Sequence, residues 1–573
     1  MTTEQTWPAP PQQFASSPRL PLLLVAIAAT IVITPMFFLG NASGHDFQFH
    51  VASWLEVAGQ WREGILFPRW AEWANWGFGE PRFIFYPPAS WVLGAALGSL
   101  LPWSMVPGAF IWLALLLAGA CMWRFAREWL PPREAAAAAL LYTVNPYHLV
   151  LVYYRSDFAE LLASALLPLL LCGALRVFRD GWRALQFLAV PFALIWLTNA
   201  PAAVLATYSL ALLLFVSCVF RRCLRPLLLG GASMMVGFGL AAFYILPAAW
   251  EQRWVQIHQV LADLLSPQNN FLFTHVNAPE FLFFNWKVSG VAMGVLLATG
   301  IAAVFAARRR REFPELWWLL LALAGAATFL MFSPSLFLWR WLPKLQFVQF
   351  PWRWLGPLGV VFAFFLAVAI GRSTRPRAGW LAIGIALAML GAALAYDGWW
   401  DSEDIPALIL GIQSGHGYEG TDEYQPLGSN RYDLPGTDVL GDLIANPSPA
   451  IQQYDASDAS FSPASGVTLR IRRWTANEKS FSAKSPAPVT LALRLLNYPA
   501  WRLKIDGQDV PAGATPQTAQ MLVPLPAGVH QVDVKFARTW DRVAGNILSA
   551  LFAIFLLALT FFARTDRATA RVA

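Results

Sequence analysis

The sequence is poor in charge for its length, and that shortage excludes an ordinary soluble protein. Only 13% of the 573 residues are charged, whereas 57% are hydrophobic and the mean hydropathy is +0.48. A soluble chain of this size needs more charged side chains to cover its surface. Apolar stretches of roughly 20 residues, long enough to cross about 30 Å of hydrocarbon, recur between residues 21 and 377. The sequence therefore predicts a polytopic membrane protein.

Cysteine is scarce and is absent from the long hydrophilic stretches. Of the four cysteines, three lie in apolar runs and one lies beside an arginine cluster: Cys121, Cys172, Cys218 and Cys223. We therefore expect no structural disulfide. Residues 1–20 are rich in Pro, Gln and Ser and predict a disordered cytoplasmic tail. The apolar run that follows lacks a convincing cleavage site, so we expect it to be retained as the first span.

Basic residues are not distributed as a nucleic-acid surface requires. The net charge is +7, but most basic residues form short clusters beside apolar runs, a pattern that indicates membrane topology. We expect no nucleic-acid partner. The clusters are predicted to mark the cytoplasmic side, and they are Arg124/Arg127/Arg133, Arg176/Arg179/Arg183, Arg221/Arg222/Arg225, Arg308 to Arg311, Arg372/Arg375/Arg377 and Arg564/Arg567/Arg571.

These clusters follow every second apolar run. The runs are 21–39, 106–123, 135–150, 161–178, 185–199, 202–220, 227–246, 289–307, 315–332, 354–371, 379–395 and 544–563. The apolar segment 86–103 breaks the alternation if it crosses fully. It is then either interfacial or re-entrant, or the N-terminus lies outside and 41–85 is cytoplasmic. Since 41–85 is acidic and contains no lysine, we favour the first choice.

The predicted fold is a mainly α, polytopic helical bundle of about 12–13 spans with a β-rich domain before the last span. The multi-span domain covers 21–396, with a first outer loop at 40–105. Residues 397–542 lose the long apolar runs and show strand-like alternation in places, and Asp506-Gly507 predicts a hairpin turn. We therefore expect an extracytoplasmic β-sandwich-like domain, a final helix at 543–563 and a cytoplasmic tail at 564–573.

Asp46 and His50 form the first cluster of candidate site residues. If a helix begins near Asp46, the two side chains stand one turn apart on the same face. A carboxylate beside an imidazole can serve as a base or share a metal ion. The alternative is that Asp46 caps the amphipathic segment 47–62.

A second cluster lies in the short outer loop that contains Arg155, Asp157 and Glu160. The two acids are three residues apart and can share a helix face, where they would repel each other without a cation or a basic group between them. Alternatively, they cap the next helix, where the positive end of the helix dipole stabilises acidic side chains. Arg155 is compatible with both interpretations.

Arg353 is the third candidate, between two tryptophans at the outer end of a predicted span. It either extends to the lipid headgroups or grips a lipid phosphate, for which guanidinium geometry is well suited. His258 and His275 lie in the outer loop 247–288. Each either reaches the site or is simply solvated.

Several short motifs in a fixed order resemble known membrane families. They are Gly44-His45-Asp46 with His50, Phe85-Tyr86-Pro87-Pro88, Asn145-Pro146-Tyr147, Arg155-Ser156-Asp157-Phe158-Ala159-Glu160, Phe350-Pro351-Trp352-Arg353, Asn497-Tyr498-Pro499-Ala500-Trp501, Asp506-Gly507 and Pro526-Ala527-Gly528-Val529-His530. Together they resemble the GT-C superfamily of membrane glycosyltransferases. More closely, they resemble the bacterial YfhO-like family and the 6-pyruvoyl-tetrahydropterin-synthase-related membrane proteins.

This resemblance implies an inverting glycosyltransferase. It would transfer a sugar from a polyprenyl-phosphate donor to a glycan, lipid or protein acceptor of the cell envelope. The implied location is the outer face of the bacterial cytoplasmic membrane, with the N-terminus cytoplasmic. Asp46 matches the superfamily's general base, and Asp157 and Glu160 match a second acidic site. In some relatives that second site helps to hold a divalent cation, Mg or Mn, here with Asp46, Asp157 and Glu160 as the candidate ligands.

Further assignments follow for substrate binding. Arg155 and Arg353 are the candidates for the donor phosphate, and His50 and His275 complete the predicted substrate-binding set. The spacing of the second acidic pair departs from a strict Asp-x-Asp or Asp-x-Glu pattern. Two alternatives stay open on the sequence: a non-enzymatic membrane scaffold that displays the β-domain, and a transporter or flippase of lipid-linked glycans.

Overall fold

The computed structural model describes residues 18–371, 376–434, 450–457, 460–462, 464 and 466–572, without the side chains of Pro376 and 562–572. Most of the predicted N-terminal tail therefore lies outside the described residues. The same is true of Arg372 and Arg375 and of the side chains in the last predicted basic cluster.

The chain is mainly helical. The α-helices are α1 Arg19–Ile33, α2 Met36–Leu39, α3 Phe47–Arg62, α4 Ala74–Gly77, α5 Arg82–Phe85, α6 Pro88–Gly98, α7 Val106–Ala126, α8 Pro132–Thr143, α9 Pro146–Val150, α10 Phe158–Asp180, α11 Leu185–Trp196, α12 Ala200–Arg221, α13 Arg225–Leu240, α14 Ala242–Glu251, α15 Pro279–Ala306, α16 Pro314–Leu330, α17 Leu336–Trp341, α18 Leu355–Gly371, α19 Pro376–Tyr396, α20 Asp404–Gln413 and α21 Trp540–Val572. A π-helical turn, Leu151–Arg155, follows α9.

Within the described residues, nine helical segments are long and apolar enough to cross a membrane, and two bent helix pairs raise the number to 11. One of the nine, Phe158–Trp196, has 39 residues, which as a single helix would measure about 58 Å, twice the thickness of the hydrocarbon. It contains α10 and α11, and a Cβ on Gly173 would lie 2.6 Å from the carbonyl carbon of Phe187. The two helices therefore pack closely against each other, and they correspond to the two predicted spans 161–178 and 185–199.

The predicted span 227–246 contains a bend, whereas the predicted span 315–332 ends at one. The helices α13 and α14 meet at 76°, and the segment Ser333–Trp341 turns away from α16 at 94°. The apolar segment 86–103 contains only the 11-residue helix α6, about 16 Å long and too short to cross alone. Gly94 of α6 packs directly on the ring of Trp54 in α3. Segment 86–103 thus contains a short helix that packs on α3 within the first outer loop.

Arginines gather at one end of the helical bundle, which we call the arginine end. There the ion pairs join different helices: Arg176–Glu128, Arg221–Glu315 and Arg309–Glu134. Arg176 lies near the end of α10, whereas Asp157 and Glu160 lie at its beginning, about 30 Å away along the helix axis. The predicted basic clusters that contain Arg176, Arg221 and Arg309 therefore lie at the opposite end of the bundle from the predicted acids.

The C-terminal region contains two five-stranded antiparallel sheets. The strands are β1 Asn41–Ala42, β2 Trp400–Asp401, β3 Ile451–Asp455, β4 Ser460–Ser462, β5 Thr468–Thr475, β6 Glu478–Ser485, β7 Val489–Leu496, β8 Trp501–Ile505, β9 Gln508–Val510, β10 Gly513–Ala514, β11 Gln520–Leu525 and β12 Gly528–Phe536. The sheet orders are β10-β11-β7-β3-β4 and β5-β6-β12-β8-β9.

One apolar cluster, with Leu491 and Val523 from one sheet and Phe481 and Val534 from the other, lies between the two sheets. The predicted hairpin at Asp506-Gly507 is confirmed, because both residues have positive φ and Ile505 pairs with Gln508. The β region is therefore a sandwich.

The sandwich is held against the first outer loop and the last span. Trp70 of that loop is fully buried, with its ring against Trp501 and Phe536. Tyr498 donates to the Glu251 carboxylate at 2.6 Å, and the same carboxylate binds Arg542 at the start of α21. The β region thus lies at the end of the bundle that carries the predicted acids.

Candidate active site

Asp46 stands directly before α3 but does not cap it. Its side chain makes no capping hydrogen bond and forms an ion pair with the Arg155 guanidinium instead. About 31% of the Asp46 side chain is exposed, against 8% for Arg155. The capping interpretation of Asp46 is therefore not what the structure shows, and its carboxylate is left available at the surface of the site.

The backbone around Asp46 is locked to the loop after α9. The Asp46 N–H donates to the Arg155 carbonyl at 2.9 Å, and the Gly44 N–H donates to Ser156 Oγ at 3.0 Å. A Cβ on Gly44 would come within 2.7 Å of the backbone of Arg155, so only glycine fits here. Ser156 adopts a left-handed conformation (φ 51°) that ends the π-helical turn. Together these features bring the two distant segments into contact.

Arg155 connects the two predicted acidic clusters. Its Nη2 contacts the carboxylate of Asp46 and lies 4.0 Å from Asp157 Oδ2. Its Nε is buried and has no hydrogen-bond partner among the described residues. The guanidinium lies 5.0 Å from the ring centroid of Phe350 and 5.6 Å from that of Trp352. One arginine thus lies between two acids, against an aromatic wall.

Asp157 caps α10 and also belongs to the site. Its Oδ1 accepts the Glu160 N–H at 2.9 Å and lies 3.6 Å from His50 Nε2. Burial by itself raises the pKa of the Asp157 carboxyl, but the contact with His50 and the charge of Arg353 hold the pKa below its usual range. Asp157 is therefore an anion at neutral pH.

Arg353 lies behind these acids and does not extend to the lipid headgroups. It is 4% exposed, and it donates to Glu160 Oε2 at 2.8 Å, Asp157 Oδ2 at 3.3 Å, the Val348 carbonyl at 2.9 Å and Gln349 Oε1 at 3.3 Å. The Tyr147 hydroxyl donates to the other Glu160 oxygen. Because its donors are occupied by protein acceptors, Arg353 fixes the positions of Asp157 and Glu160.

The structure brings together Asp46, His50, Arg155, Asp157, Glu160 and Arg353 of the predicted set. His258 and His275 are exposed, and no hydrogen bond or ion pair joins them to this cluster within the described residues. Tyr147 was not predicted as a site residue, although Asn145-Pro146-Tyr147 is one of the motifs. Lys287 and Asp397, which form an ion pair beside Tyr154, were not predicted either.

The arrangement does not fit a divalent cation. In the part of the chain that the structure describes, no group of three or more His, Cys, Asp or Glu side chains is placed to hold a metal. Asp46 pairs with Arg155 and Glu160 pairs with Arg353, so guanidinium groups occupy the space between the carboxylates. The prediction of a cation held by Asp46, Asp157 and Glu160 therefore has no support from the residues present, and no step below uses one.

An open pocket lies elsewhere. It has a volume of about 450 Å³ at the arginine end, is mostly apolar, and is lined by residues of α7, α10, α11 and α21 such as Arg124, Leu169 and Phe187. It is remote from Asp46 and the other acids. We therefore assign it no part in the chemistry of the site.

The fold and the site define a polytopic membrane protein with a buried acid–arginine cluster at the end that carries a β-sandwich. The family model of the 6-pyruvoyl-tetrahydropterin synthase related domain, a membrane protein domain, matches residues 83–399, and the chain belongs to this family. The matched segment includes Arg155, Asp157, Glu160 and Arg353 but begins after Asp46. The comparison with curated proteins gave no match.

Among solved structures, the chain is similar to the arabinofuranosyltransferase AftD from Mycobacteria (17% identity, TM-score 0.45, 69% of this chain and 27% of that chain). It is also similar to ArnT from Cupriavidus metallidurans bound to undecaprenyl phosphate (16% identity, TM-score 0.39, 65% of this chain and 64% of that chain). A third similar structure is the oligosaccharyltransferase AglB from Archaeoglobus fulgidus in complex with an inhibitory peptide and a dolichol-phosphate (14% identity, TM-score 0.40, 66% of this chain and 55% of that chain).

The chain spans less than a third of the length of AftD. At TM-scores below 0.5, these similarities decide nothing about activity. The side chains of the site have to carry the functional argument.

Proposed function

We propose that this protein is an inverting membrane glycosyltransferase that moves a sugar from a polyprenyl-phosphate donor to a cell-envelope acceptor. The observation that carries the proposal is the contact of Arg155 with both Asp46 and Asp157, at the boundary between the spans and the outer loops. Acids from two separate loops meet a cation there, beside a wall of aromatic rings. This is the charge pattern that a phosphate leaving group and an acceptor hydroxyl require.

Asp46 is proposed as the general base. It is the most exposed of the three acids, at 31% of its side chain, whereas Asp157 and Glu160 are nearly inaccessible at 4% and 2%. In the reaction, the acceptor hydroxyl oxygen attacks the anomeric carbon of the donor and the bond from that carbon to the phosphate oxygen breaks. Asp46 takes the hydroxyl proton, and the polyprenyl phosphate leaves as the anion.

Arg155 is proposed as the ligand of the donor phosphate. In the structure it neutralises Asp46, so the phosphate and the Asp46 carboxylate compete for one guanidinium. A phosphate that takes over this contact frees the carboxylate to accept the hydroxyl proton. Binding of the donor would thereby produce the active base, and the aromatic rings beside Arg155 restrict access of water to the ion pair.

Arg353, Asp157, Glu160 and His50 are proposed as positioning residues. Arg353 makes four hydrogen bonds to protein acceptors and is buried, so it acts through the acids rather than on the donor itself. His50 lies against Asp157 on the other side. This shell keeps Asp157 near Arg155 and so sets the orientation of the arginine.

The orientation in the membrane is part of the proposal. We place the arginine end in the cytoplasm and the acid cluster with the β-sandwich outside, in the bacterial inner membrane. The concentration of arginines at one end of the bundle supports this orientation. An outward site suits a donor whose sugar is carried on a lipid.

The test is transfer of radiolabel from a polyprenyl-phosphate sugar to a cell-envelope extract by the purified full-length protein. We expect Asp46→Asn to lower the rate by about 100-fold or more, the usual contribution of a general base. Asp509→Asn, an exposed acid of the β region, is the matched control and should transfer at the wild-type rate. Full transfer by Asp46→Asn removes Asp46 as the base.

A non-enzymatic scaffold is the second candidate, and one observation favours it. Each acid of the cluster already has an arginine partner, so the cluster can be explained as a fastening between the first outer loop and the loop before α10. A scaffold predicts that Asp46→Asn lowers the unfolding temperature and that the wild-type protein transfers no label. The enzyme predicts transfer by the wild type and a loss of rate in a variant that stays folded.

A further inference from the structure

Lys287 is an ionisable residue near the beginning of a candidate membrane span. It lies in the segment Pro279–Arg309, and no other lysine occurs in the candidate spans that the structure describes. A charged side chain in such a segment is costly unless it has a partner or a function. Its partner is Asp397, the residue that follows α19. The pair therefore has either a structural role or a role in binding.

Two donor groups converge on one oxygen atom of Asp397. The Lys287 ammonium contacts Asp397 Oδ2, and the Tyr154 hydroxyl donates to the same oxygen at 2.6 Å. An ammonium and a hydroxyl that point at one anionic oxygen are also the donors that a phosphate oxygen accepts. Asp397 thus occupies a position with the donor set of a phosphate site.

This cluster is exposed at the surface of the helical bundle. Exposed fractions are 24% for the Lys287 side chain and 39% for Asp397, far above the 4% of Arg353. Phe283 and Trp286, on the same helix, are 62% and 53% exposed. Aromatic side chains at the level of the headgroups are typical of membrane interfaces. The Lys287–Asp397 pair therefore lies where a lipid carries its phosphate.

A chain of ring contacts leads from this cluster to the candidate active site. Phe284 follows Phe283 in α15, and its ring lies 5.9 Å from that of Trp352. The Trp352 ring lies 5.6 Å from the Arg155 guanidinium. Tyr154 is also the direct neighbour of Arg155 in the chain. The cluster and Arg155 are therefore two successive cations along one aromatic wall.

We propose that Lys287 and Tyr154 form a recognition site for a phosphate group carried on a lipid, which displaces Asp397 on its way to Arg155. The inference deepens the proposed function and rests on it, since it states where the lipid-linked donor first meets the protein. The lipid phosphate exchanges one anionic oxygen for another on Lys287, so the ammonium stays paired throughout.

A purely structural pair makes a different prediction. If Lys287 and Asp397 only fasten α15 to the end of α19, loss of either partner has the same effect. If Asp397 competes with a phosphate for Lys287, the two substitutions act in opposite directions on phosphate binding. The sign of the Asp397 variant therefore separates the two explanations.

The experiment measures binding of a short-chain prenyl phosphate to the full-length protein in zwitterionic nanodiscs by calorimetry. We expect Lys287→Gln to weaken binding about tenfold, as for loss of a charge-assisted hydrogen bond, and Lys287→Arg to restore most of it. Asp397→Asn should bind as tightly as the wild type or more tightly. Lys344→Gln, at an exposed lysine that donates to Gln252 and lies over the Phe347 ring, is the control and should bind normally.

Unchanged binding by Lys287→Gln, or equal losses in Lys287→Gln and Asp397→Asn, overturns the proposal. Inorganic phosphate and phosphatidylglycerol are the other two probes. Binding of phosphatidylglycerol that depends on Lys287 assigns the site to general phospholipids, whereas inorganic phosphate that binds as tightly as the prenyl phosphate overturns the role of the lipid. A wild type that binds the prenyl phosphate through Lys287 but transfers no sugar contradicts only the proposed function.

Discussion

The two ends of the helical bundle use arginine in different ways. At the arginine end, pairs such as Arg124–Glu128 and Arg176–Glu128 are partly exposed, with arginine side chains at 34% and 19%. At the other end, Arg353, Asp157 and Glu160 are connected in one network and are 2–4% exposed. The first arrangement costs little desolvation, while the second removes several charges from water.

The difference shows where the chain carries charge for orientation and where it carries charge for chemistry. Partly exposed pairs at helix ends contribute little stability and fit the loop charges that set topology. A buried network of acids and arginines is a poor source of net stability, because the attraction of the charges has to offset their dehydration. Among the described residues, the acid–arginine pairs in which both side chains are 6% exposed or less lie at the end that carries Asp46, which points to a function there.

The largest effect is expected for Arg353→Gln, which leaves Asp157 and Glu160 buried without their shared cation. We expect a loss of about 3–5 kcal/mol in the free energy of unfolding, the usual cost of breaking a buried ion pair. Chemical denaturation of the purified protein in detergent, followed by circular dichroism, measures it. A loss below about 1 kcal/mol, as for an exposed pair, would remove the contrast between the two ends.

A second effect concerns pH. Burial and the charge of Glu72 raise the pKa of Glu56, in the first outer loop, to about 7. Because the folded state then holds its proton more tightly than the unfolded chain, stability falls as the pH rises from about 4.5 to 7, by up to about 3 kcal/mol. Unfolding curves between pH 4.5 and 8 should show this slope in the wild type.

Substitution of Glu56 by Gln should make that slope shallower, since glutamine does not titrate; part of the slope should remain, because burial also raises the pKa of Glu423 to about 7. The exposed Glu403→Gln variant is the control and should keep it. A wild-type stability that rises with pH over this interval would contradict the assignment.

Gly44→Ala tests how tightly the loop of Asp46 lies on the backbone of Arg155. The new Cβ would overlap that backbone, so we expect a loss of about 1–3 kcal/mol in unfolding free energy and a parallel loss of transfer. Gly290→Ala in α15, where a Cβ meets nothing within 4 Å, should be neutral or stabilise by up to about 1 kcal/mol. Equal stabilities of the two variants would show that the loop is not held there.

The smallest effect is expected for Arg124→Gln at the arginine end. Its ion pair with Glu128 is partly exposed and Glu128 keeps Arg176, so the change in unfolding free energy should stay below about 1 kcal/mol. Transfer of label should be unaffected. A loss as large as that of Arg353→Gln would mean that both ends depend on their charges equally.

The class of fold could be predicted because it depends on local composition. Apolar runs of membrane length, short arginine clusters and the Asp506-Gly507 turn are each encoded within a few neighbouring residues. The membrane helices and the β region were confirmed on that basis. The 76° bend between α13 and α14 was not predicted, because hydropathy records the length of an apolar run and not its direction.

The site could be predicted only in part. Asp46, Arg155, Asp157, Glu160 and Arg353 stood out because charge beside an apolar run is unusual. Their pairing depends on contacts between loops more than a hundred residues apart, such as Gly44 on Ser156, and no local pattern carries that information. Tyr147, Lys287 and Asp397 were not predicted for the same reason, since each is recognisable only by its contact with a residue in another segment.

The short ladder between β1 and β2 has a consequence for biogenesis. Asn41 and Ala42, a few residues before Asp46, pair with Asp401 and Trp400, which the ribosome delivers only after the long series of spans between them. The segment that presents Asp46 therefore stays without its strand partner during most of synthesis. A nascent or truncated chain that stops before Trp400 holds the acids but lacks the strand that fixes them. Maturation of the site is thereby timed to near-completion of membrane insertion.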